Sequence, residues 1–334
     1  MAYHPRFTIT PQLLSILEDI AVTRAKIQAA TIQVSWMPTL QKEARAHNTH
    51  SSTAIEGNPL TLDQVERLAE GKHVVDATER ARREVLNYFT GLRFIQRHQR
   101  TRTITHAHIV KLHALIAAGV MDQGTAGQYR TIAVRIGAHR PPPAAQVAEL
   151  MGELLQWWSR DSAQWSPVIT SAIIHYRFED IHPFADGNGR VGRTLALWEL
   201  YRRGFDTHHI FAVDDIYWEK RQRYYAALDA VPREHGDLTG WLMYAAEALQ
   251  LTLDRVWVRV QRFSVTQGAR KVVLRPKQEQ LLQLLQERES LTPRELWKAL
   301  GVSKQGAMNV IKPLVKSRLV RRVGTRKSGR YLLA

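Results

Sequence analysis

One short polar loop carries most of the side chains that could do chemistry in this sequence. Residues 182–193 read His-Pro-Phe-Ala-Asp-Gly-Asn-Gly-Arg-Val-Gly-Arg and lie between two apolar segments with helical periodicity. Gly187, Asn188 and Gly189 allow successive backbone N–H groups to converge, and a helix that begins at Gly189 adds the positive end of its dipole. The sequence therefore predicts an anion cradle of the kind that binds a pyrophosphate.

Four side chains around this cradle have the chemistry that nucleotide transfer needs. Arg190 and Arg193 are three residues apart, so both project from one side of the new helix, where guanidinium groups can bind phosphate oxygens. Asp186 directly precedes the cradle and is placed to hold a magnesium ion between phosphate groups. His182 is the side chain of the loop that ordinarily titrates near neutrality, and it can deprotonate an attacking hydroxyl.

Two simpler explanations of the loop are weaker. A glycine-rich turn with two surface arginines and a chance histidine does not require all of these residue types within twelve positions. The spacing from Gly187 to Thr194 nearly matches a phosphate-binding P-loop, but Arg193 stands where that motif requires lysine. A helix, and not a strand, also precedes the loop, so we exclude the P-loop.

The loop resembles the catalytic motif of the Fic family of nucleotidyl transferases, His-Pro-Phe-x-(Asp/Glu)-Gly-Asn-Gly-Arg-x-x-Arg, at every defined position. The resemblance implies a mainly α fold, ATP as co-substrate with Mg²⁺, and transfer of AMP to Ser, Thr or Tyr hydroxyls of proteins. It implies that His182 is the general base, Asp186 the magnesium ligand and Arg193 the clamp on the terminal phosphate. The other nucleotide-binding positions that it implies are Gly187, Asn188, Gly189, Arg190, Val191 and Gly192.

Two further stretches resemble parts of the same family's site. The residues from Gly127-Gln128-Tyr129-Arg130 to His139 resemble the flap that registers the target chain and covers the nucleotide. Their alternation, followed by three prolines, predicts a small β-hairpin or flap and not a helix. The flap residues expected at the nucleotide are Ile136, Gly137, Ala138 and His139. Tyr224 and Tyr225, with Leu228, resemble a tyrosine pair near the nucleotide base, and ordinary core packing of these tyrosines is the equally weighted alternative.

An inhibitory motif is the third resemblance. Ser52-Thr53-Ala54-Ile55-Glu56-Gly57 is similar to the Ser/Thr-x-x-x-Glu-(Gly/Asn) sequence that many family members carry on a helix before the catalytic core. The resemblance implies that Glu56 pairs with Arg193 in a buried ion pair and takes the place of the γ-phosphate, so that ATP binds unproductively. A glutamate at a helix end that faces solvent is the simpler alternative. We therefore expect an autoinhibited enzyme.

Helical periodicity dominates the chain that must position these residues. Residues 1–100 predict an N-terminal helical region with the inhibitory helix, and residues 101–265 predict the catalytic core with its flap. Residues 266–276 turn polar and basic, so we interpret them as a linker. Residues 277–334 show three helices and an alternating tail with glycines, the order of a winged helix-turn-helix domain. Its third helix carries side chains that can reach base edges or phosphates, namely Lys304, Gln305, Asn309 and Lys312.

The composition limits the remaining function classes. The 334 residues include no cysteine, which excludes disulfides and thiolate metal sites and indicates a reducing, cytoplasmic compartment. No apolar run in the sequence is long enough for a membrane span. The formal charge of +16 is concentrated in residues 270–334, which hold sixteen Lys and Arg against four Glu. This bias is typical of a DNA-binding domain, with a solvated basic face as the alternative.

These observations leave three functions. Protein adenylylation, of another protein or of the chain itself, is the main prediction. Removal of AMP from a modified protein, or transfer of another part of a nucleotide, is the second, because the cradle does not contact the base. A DNA-binding regulator that works through residues 277–334 is the third, and it is compatible with the other two. The histidine spacing matches no zinc site, so Mg²⁺ is the one metal predicted, and a homodimer stays open.

Overall fold

The chain is mainly α-helical and falls into two compact units. The computed structural model describes residues 3–30, 37–137, 139–206, 208–266, 276–288, 290–316, 319–324 and 329–333. Residues up to 29 together with 40–259 form the first unit, and residues 30–39 together with those from 260 onward form the second. None of the helices in the described ranges is long and apolar enough to cross a membrane.

Eleven of the described helices precede the basic C-terminal region. They are α1 (Pro11–Ala29), α2 (Met37–Ile55), α3 (Leu62–Ala69), α4 (Glu79–Arg97), α5 (His106–Ile116), α6 (Val147–Arg160), α7 (Pro167–Ile181), α8 (Asn188–Arg202), α9 (Val213–Glu219), α10 (Arg221–Arg233) and α11 (Thr239–Thr266). Short 3-10 turns precede and follow α6, at Ala144–Gln146 and Ser162–Gln164.

Helices α7 and α8 hold the catalytic-motif loop between them. α7 begins with Pro167 after Ser166, whose hydroxyl accepts the N–H of Val168 at 3.3 Å, so the start of the helix is capped. The two helices pack closely against each other, and α8 also contacts α4 and α5. Phe178 and Phe184 are fully buried at this junction, and burial of each large apolar side chain contributes about 1.5–3 kcal/mol. The loop is therefore anchored to the core at both ends.

Two segments differ in detail from the sequence-based expectation. The helical periodicity of the sequence predicts one helix over 215–230, but this helix is interrupted at Lys220. The φ of −109° and ψ of 36° at Lys220 lie outside the helical region and separate α9 from α10. The flap contains one antiparallel bridge between Ile136 and His139, closed by backbone hydrogen bonds of 3.1 and 2.9 Å around Gly137. The prolines at 141–143 have no N–H to donate, so a longer ladder cannot follow.

The C-terminal elements form a winged helix, as predicted. They are α12 (Pro276–Arg288), α13 (Pro293–Leu300), α14 (Lys304–Lys316), β1 (Val320–Val323) and β2 (Arg330–Leu333). The strands pair antiparallel, with Val320 opposite Leu333. Thr292 and Glu295 form a reciprocal capping box at the start of α13. The core of this region includes Leu281, Leu285, Leu296, Leu300, Ile311, Leu314 and Tyr331. The expected mainly α fold with a C-terminal winged helix is confirmed.

The expected linker over residues 266–276 falls largely outside the described residues. α11 continues to Thr266, and α12 begins at Pro276, while residues 267–275 are not described. The boundary between the two compact units therefore lies within α11, at residues 259–260, and not at a helix end. The division of the chain at 100, 265 and 276 stays a proposal.

Candidate active site

His182 follows the last residue of α7 and has a left-handed backbone conformation, with φ of 48° and ψ of 62°. Its N–H bonds to the carbonyl oxygen of Phe178 at 2.9 Å and closes the helix. This conformation costs a non-glycine residue on the order of 1–3 kcal/mol, and such residues cluster at functional sites. The imidazole is 17% exposed, and burial lowers its pKa to about 4. It is therefore neutral at neutral pH and able to accept a proton.

Arg130 connects the His182 turn to both ends of the flap. Its guanidinium is buried, and Nε donates to the carbonyl oxygen of His182 at 2.8 Å. Nη1 donates to the carbonyl of Ile132 at 3.0 Å, and Nη2 donates to that of Pro142 at 2.6 Å. The backbone N–H of Arg130 also donates to the carbonyl of Pro183 at 2.9 Å. One side chain thus fixes the backbone on which the imidazole is mounted.

Replacing Arg130 by lysine is expected to destabilise this region, because one ammonium group cannot match the planar fork that reaches four carbonyls, those of residues 132, 142, 181 and 182. The free energy of unfolding should decrease by about 2 kcal/mol, as is typical for lost hydrogen bonds to a charged group. This decrease lowers the melting temperature by about 4–8 °C. Thermal unfolding followed by circular dichroism measures it. Arg140→Lys, at an exposed position of the same flap, is the matched control. Equal melting temperatures for the two variants would contradict the assignment.

The inside of the loop is held by its own polar groups. The Phe184 N–H donates to Oδ1 of Asn188 at 2.9 Å, and Nδ2 of Asn188 donates back to the Phe184 carbonyl at 2.8 Å. The Phe184 ring stacks on His113 with ring centroids 3.6 Å apart. Nδ1 of His113 accepts the Gly127 N–H at 2.8 Å, so Nε2 carries the proton and donates to the Asp186 carbonyl at 2.9 Å. Both polar groups of the Asn188 side chain are thus hydrogen-bonded within the loop. The groups that remain to bind an anion are backbone N–H groups.

The cradle itself lies at the start of α8. Gly187 precedes the helix with a φ of 78°, a conformation that favours glycine. The Arg190 side chain is 5% exposed, and its Nε and Nη1 are buried without a hydrogen-bond partner in the described part of the chain. Its Nη2 lies 3.6 Å from the Asp186 carboxylate, which is 29% exposed. Buried charged donors are costly to leave unpaired, so this arrangement favours an anionic ligand.

The Glu56 carboxylate lies at this cradle. Nη2 of Arg193 donates to Oε1 of Glu56 at 2.7 Å and to the carbonyl of Ser52 at 2.9 Å, and Nε donates to the Ser52 hydroxyl at 2.8 Å. The same carboxylate lies so close to Gly189 that any Cβ there would collide with it. Glu56, which directly follows α2, therefore places a negative group against both the N-terminus of α8 and Arg193.

The ion pair is less buried than the sequence suggested. The Arg193 side chain is 1% exposed, but that of Glu56 is 36% exposed. Burial by itself would raise the pKa of Glu56, yet Arg193, with Arg190 and His182 nearby, holds that pKa below its ordinary value. Glu56 is therefore a carboxylate at neutral pH. Its partial exposure makes the pair easier to break than a fully buried one.

Tyr224 differs from the expected base-contacting residue. Its side chain is buried, and its hydroxyl lies 3.0 Å from Nε2 of His175 and 3.5 Å from Nη1 of Arg193. Tyr217 stacks on the ring at 4.8 Å between centroids. The Tyr224 hydroxyl therefore lies next to the Arg193 guanidinium, and the Tyr224 ring belongs to the core. The adjacent Tyr225 is 39% exposed.

Two other motif positions pack inward. Val191 is fully buried in the core. Gly192 lies against the side chains of Phe178 and Glu179 on α7. Neither residue presents a side chain to the cradle, so any contribution to nucleotide binding comes through the backbone.

The flap residues lie beside the His182 turn. Nε2 of His139 lies 3.3 Å from the carbonyl oxygen of Asp180 and 3.6 Å from its carboxylate. Ile136 is 38% exposed, and Gly137 forms the turn with a φ of 55°. Ala138 lies outside the described residues. The flap thus leaves an apolar side chain accessible next to the loop.

Comparison with known proteins agrees with this geometry. Residues 103–200 match the model of the Fic/DOC family, and residues 274–330 match that of the MarR family. A protein adenylyltransferase Fic from Drosophila willistoni is 30% identical over 241 residues, which are 71% of this chain and 47% of the relative. One from Nematostella vectensis is 30% identical over 217 residues, 64% of this chain and 49% of the relative. Residues 103–200 are a Fic/DOC family domain.

Solved structures place the Fic domain in the same architecture. A Fic family protein from Desulfovibrio desulfuricans superposes with a TM-score of 0.70 at 26% identity, covering 99% of this chain and 98% of that one. Fic-1 from C. elegans superposes with a TM-score of 0.66 at 24% identity, covering 75% and 73%. The chain spans about half the length of the curated relatives it matches. The activity of the whole protein is therefore a proposal.

Metal binding in the Fic domain would depend on the substrate. The described residues contain no group of three or more His, Asp or Glu side chains that could hold a metal ion. Magnesium, however, is commonly bound by one or two carboxylates together with substrate phosphates. Asp186, next to the cradle and 29% exposed, fits that chemistry.

Four side chains of the site were not assigned from the sequence: Ser52, His113, Arg130 and Glu179. Ser52 is the first residue of the inhibitory motif, and Glu179 precedes His182 by one helical turn, so spacing could have found both. Arg130 lies in the flap stretch, but its buried position has no local signal. His113 lies 73 residues from the Asp186 carbonyl that it binds, and no pattern in the sequence joins the two.

Proposed function

We propose that the Fic domain transfers AMP from ATP to a hydroxyl side chain of a protein and that Glu56 keeps it inactive. One observation carries the proposal: Glu56 is bonded to Arg193 at 2.7 Å and lies against Gly189. A carboxylate of the chain itself thus occupies an anion site made by a helix N-terminus and two arginines. The neutral imidazole of His182 lies at the start of the same loop. The relatives named protein adenylyltransferase support this activity.

In the proposed reaction, the hydroxyl oxygen of the target attacks the α-phosphorus of ATP. Nε2 of His182 takes the hydroxyl proton while the new O–P bond forms. The bond between the α-phosphorus and the oxygen that bridges to the β-phosphate breaks, and pyrophosphate leaves with the bonding electrons. Arg190, Arg193 and the first N–H groups of α8 would bind the departing phosphates. The products are a protein that carries AMP and free pyrophosphate.

Asp186 would hold magnesium in this reaction. A bound Mg²⁺ neutralises charge on phosphate oxygens and fixes their orientation. The carboxylate of Asp186 is accessible, and the Arg190 guanidinium 3.6 Å away would share the same phosphate groups. The chain would thus supply one carboxylate ligand, and the substrate phosphates would supply further oxygen ligands.

The proposed targets are Ser, Thr or Tyr hydroxyls of other proteins or of the chain itself. Incubating the Glu56→Gly form with a cell lysate and ATP labelled at the α-phosphate tests the proposal, and labelled protein bands are expected. Mass spectrometry of a labelled protein would then distinguish an attached AMP from another nucleotide part. Loss of AMP from an already modified protein would support the reverse activity instead. No labelled protein, including the chain itself, would contradict the proposed transfer.

We also propose that the winged helix binds duplex DNA. The side chains of Lys304, Gln305, Asn309 and Lys312 on α14 are all exposed. The surrounding residues 270–334 carry twelve more basic than acidic side chains. The match to the MarR family model covers residues 274–330. An exposed, basic third helix is the element that helix-turn-helix proteins place in the major groove.

Replacing Lys304 and Lys312 together by alanine is expected to weaken DNA binding about equally for all sequences. If both contact phosphates, the slope of log K against log salt concentration decreases by about 2. Fluorescence anisotropy of a labelled duplex across a salt series measures the slope. Lys298→Ala, an exposed lysine on α13, controls for a general loss of charge. Lack of binding by the unmodified chain at low salt would contradict the proposal.

A further inference from the structure

The carboxyl group of Glu179 lies beside the proposed general base. Glu179 is on the last turn of α7, and its side chain is 16% exposed. Its Oε2 lies 3.8 Å from Nδ1 of His182. Among the described residues, both His182 Nδ1 and the other carboxyl oxygen, Oε1, are buried without a hydrogen-bond partner. Unpartnered buried polar atoms are rare, so the two groups that face each other need an explanation.

Gly192 makes room for this carboxyl group. A Cβ at Gly192 would collide with Oε1 of Glu179 and would also approach the Phe178 ring at 3.3 Å. Gly192 lies within α8, where alanine is otherwise preferred over glycine by about 1 kcal/mol. The glycine therefore costs helix stability and permits the close approach of Glu179 to the loop.

Burial keeps the Glu179 carboxyl group neutral. Burial raises the pKa of Glu179 to about 8, the Arg193 guanidinium opposes that rise, and the Glu56 carboxylate adds to it. At pH 7 the group is therefore mainly a protonated carboxyl. A protonated carboxyl keeps a carbonyl oxygen that can accept a hydrogen bond.

We propose that Glu179 is a positioning residue that holds the proton of His182 on Nδ1, so that the Nε2 lone pair faces the target hydroxyl. A neutral imidazole carries one proton, and the hydrogen bond made by one nitrogen decides which nitrogen is basic. The contact at 3.8 Å is longer than a hydrogen bond, and catalytic hydrogen bonds commonly tighten when substrate binds. The role in catalysis depends on the proposed AMP transfer, but the tautomer does not.

Transfer kinetics in the Glu56→Gly background test the catalytic part. Glu179→Ala is expected to lower kcat about 10- to 100-fold, less than loss of the base itself, with the KM for ATP changed less than about twofold. Gly192→Ala should lower kcat as well, because its new Cβ displaces the carboxyl. The kcat of the Glu179→Ala/Gly192→Ala double variant should be no lower than that of Glu179→Ala, since no carboxyl remains for the new Cβ to displace. Glu149→Ala and Gly152→Ala, an exposed glutamate and a helix glycine with room for a Cβ, are the matched controls.

Nitrogen NMR of the histidines tests the tautomer without any transfer. The chain has 14 histidines, and the signal lost in His182→Ala identifies the residue. We expect His182 to carry its proton on Nδ1 in the wild type and to shift toward Nε2 in Glu179→Ala. The backbone carbonyl of Glu179 also interacts with the His182 imidazole and is the competing partner for its proton. An unchanged tautomer, or an unchanged kcat in Glu179→Ala, would overturn the proposal and assign the positioning role to that carbonyl. A Glu56→Gly form that transfers no AMP, together with the expected tautomer shift, would instead count against the proposed function alone.

Discussion

Replacing Glu56 by glycine is expected to raise the initial rate of AMP transfer about 10- to 100-fold. The carboxylate holds Arg193 at 2.7 Å and lies against Gly189, so productive ATP binding must first displace it. A hydrogen bond to a charged group contributes about 1.5–3 kcal/mol, which corresponds to one or two factors of ten in the equilibrium. The 36% exposure of the Glu56 side chain argues for the lower end of this range.

The rate is measured with ATP labelled at the α-phosphate, at a fixed concentration of target or of the chain itself. Glu56→Gln keeps the shape of the side chain but loses its charge, so an intermediate rate is expected. Glu70→Gly replaces an exposed glutamate at the end of α3 and controls for a change in charge elsewhere. Equal initial rates for the wild type and Glu56→Gly would rule out autoinhibition by Glu56.

Replacing His182 by alanine in the Glu56→Gly background is expected to lower kcat about 10²- to 10⁴-fold. The affinity for ATP should change less than about twofold, because the phosphate contacts come from Arg190, Arg193 and the start of α8. Stopped assays of label transfer give kcat, and equilibrium binding of ATP gives the affinity. The separation of the two effects distinguishes a base from a phosphate ligand.

A matched control for this variant is His235→Ala. His235 is exposed and, like His182, has a left-handed backbone with a φ of 57°. The same loss of a histidine at a similar backbone conformation should leave kcat unchanged. If His182→Ala transferred AMP at the parent rate, His182 would have no role in the reaction.

The sequence could predict the loop because its chemistry is local. Gly187, Arg190 and Arg193 lie within the first two turns at a helix start, so their relative positions follow from backbone geometry alone. The contact between Glu56 and Arg193 could be predicted only from the resemblance to the inhibitory motif, since 137 residues separate the two side chains. The winged helix was predictable for the same reason as the loop, because the capping box at Thr292 is short-range.

The parts that the sequence could not predict depend on long-range packing. The Asn188 side chain turned toward Phe184, and the sequence could not decide between the two alternatives for Tyr224, whose ring lies in the core. Buried polar and aromatic groups find partners that no spacing rule specifies. Arg130 reaches carbonyls on three different segments of chain. The expected flap is closed by a single antiparallel bridge, since alternation alone does not specify ladder length.

The most direct test compares ATP labelled at the α-phosphate with ATP labelled at the γ-phosphate. The Glu56→Gly form and the Glu56→Gly/His182→Ala form are incubated with each nucleotide, and covalently bound label on protein is counted. If His182 is the base for attack at the α-phosphorus and Glu56 inhibits the enzyme by pairing with Arg193, Glu56→Gly should place α-label on protein. The double variant should place almost none, and neither form should transfer γ-label. Transfer of γ-label, or equal α-label with both forms, would contradict it.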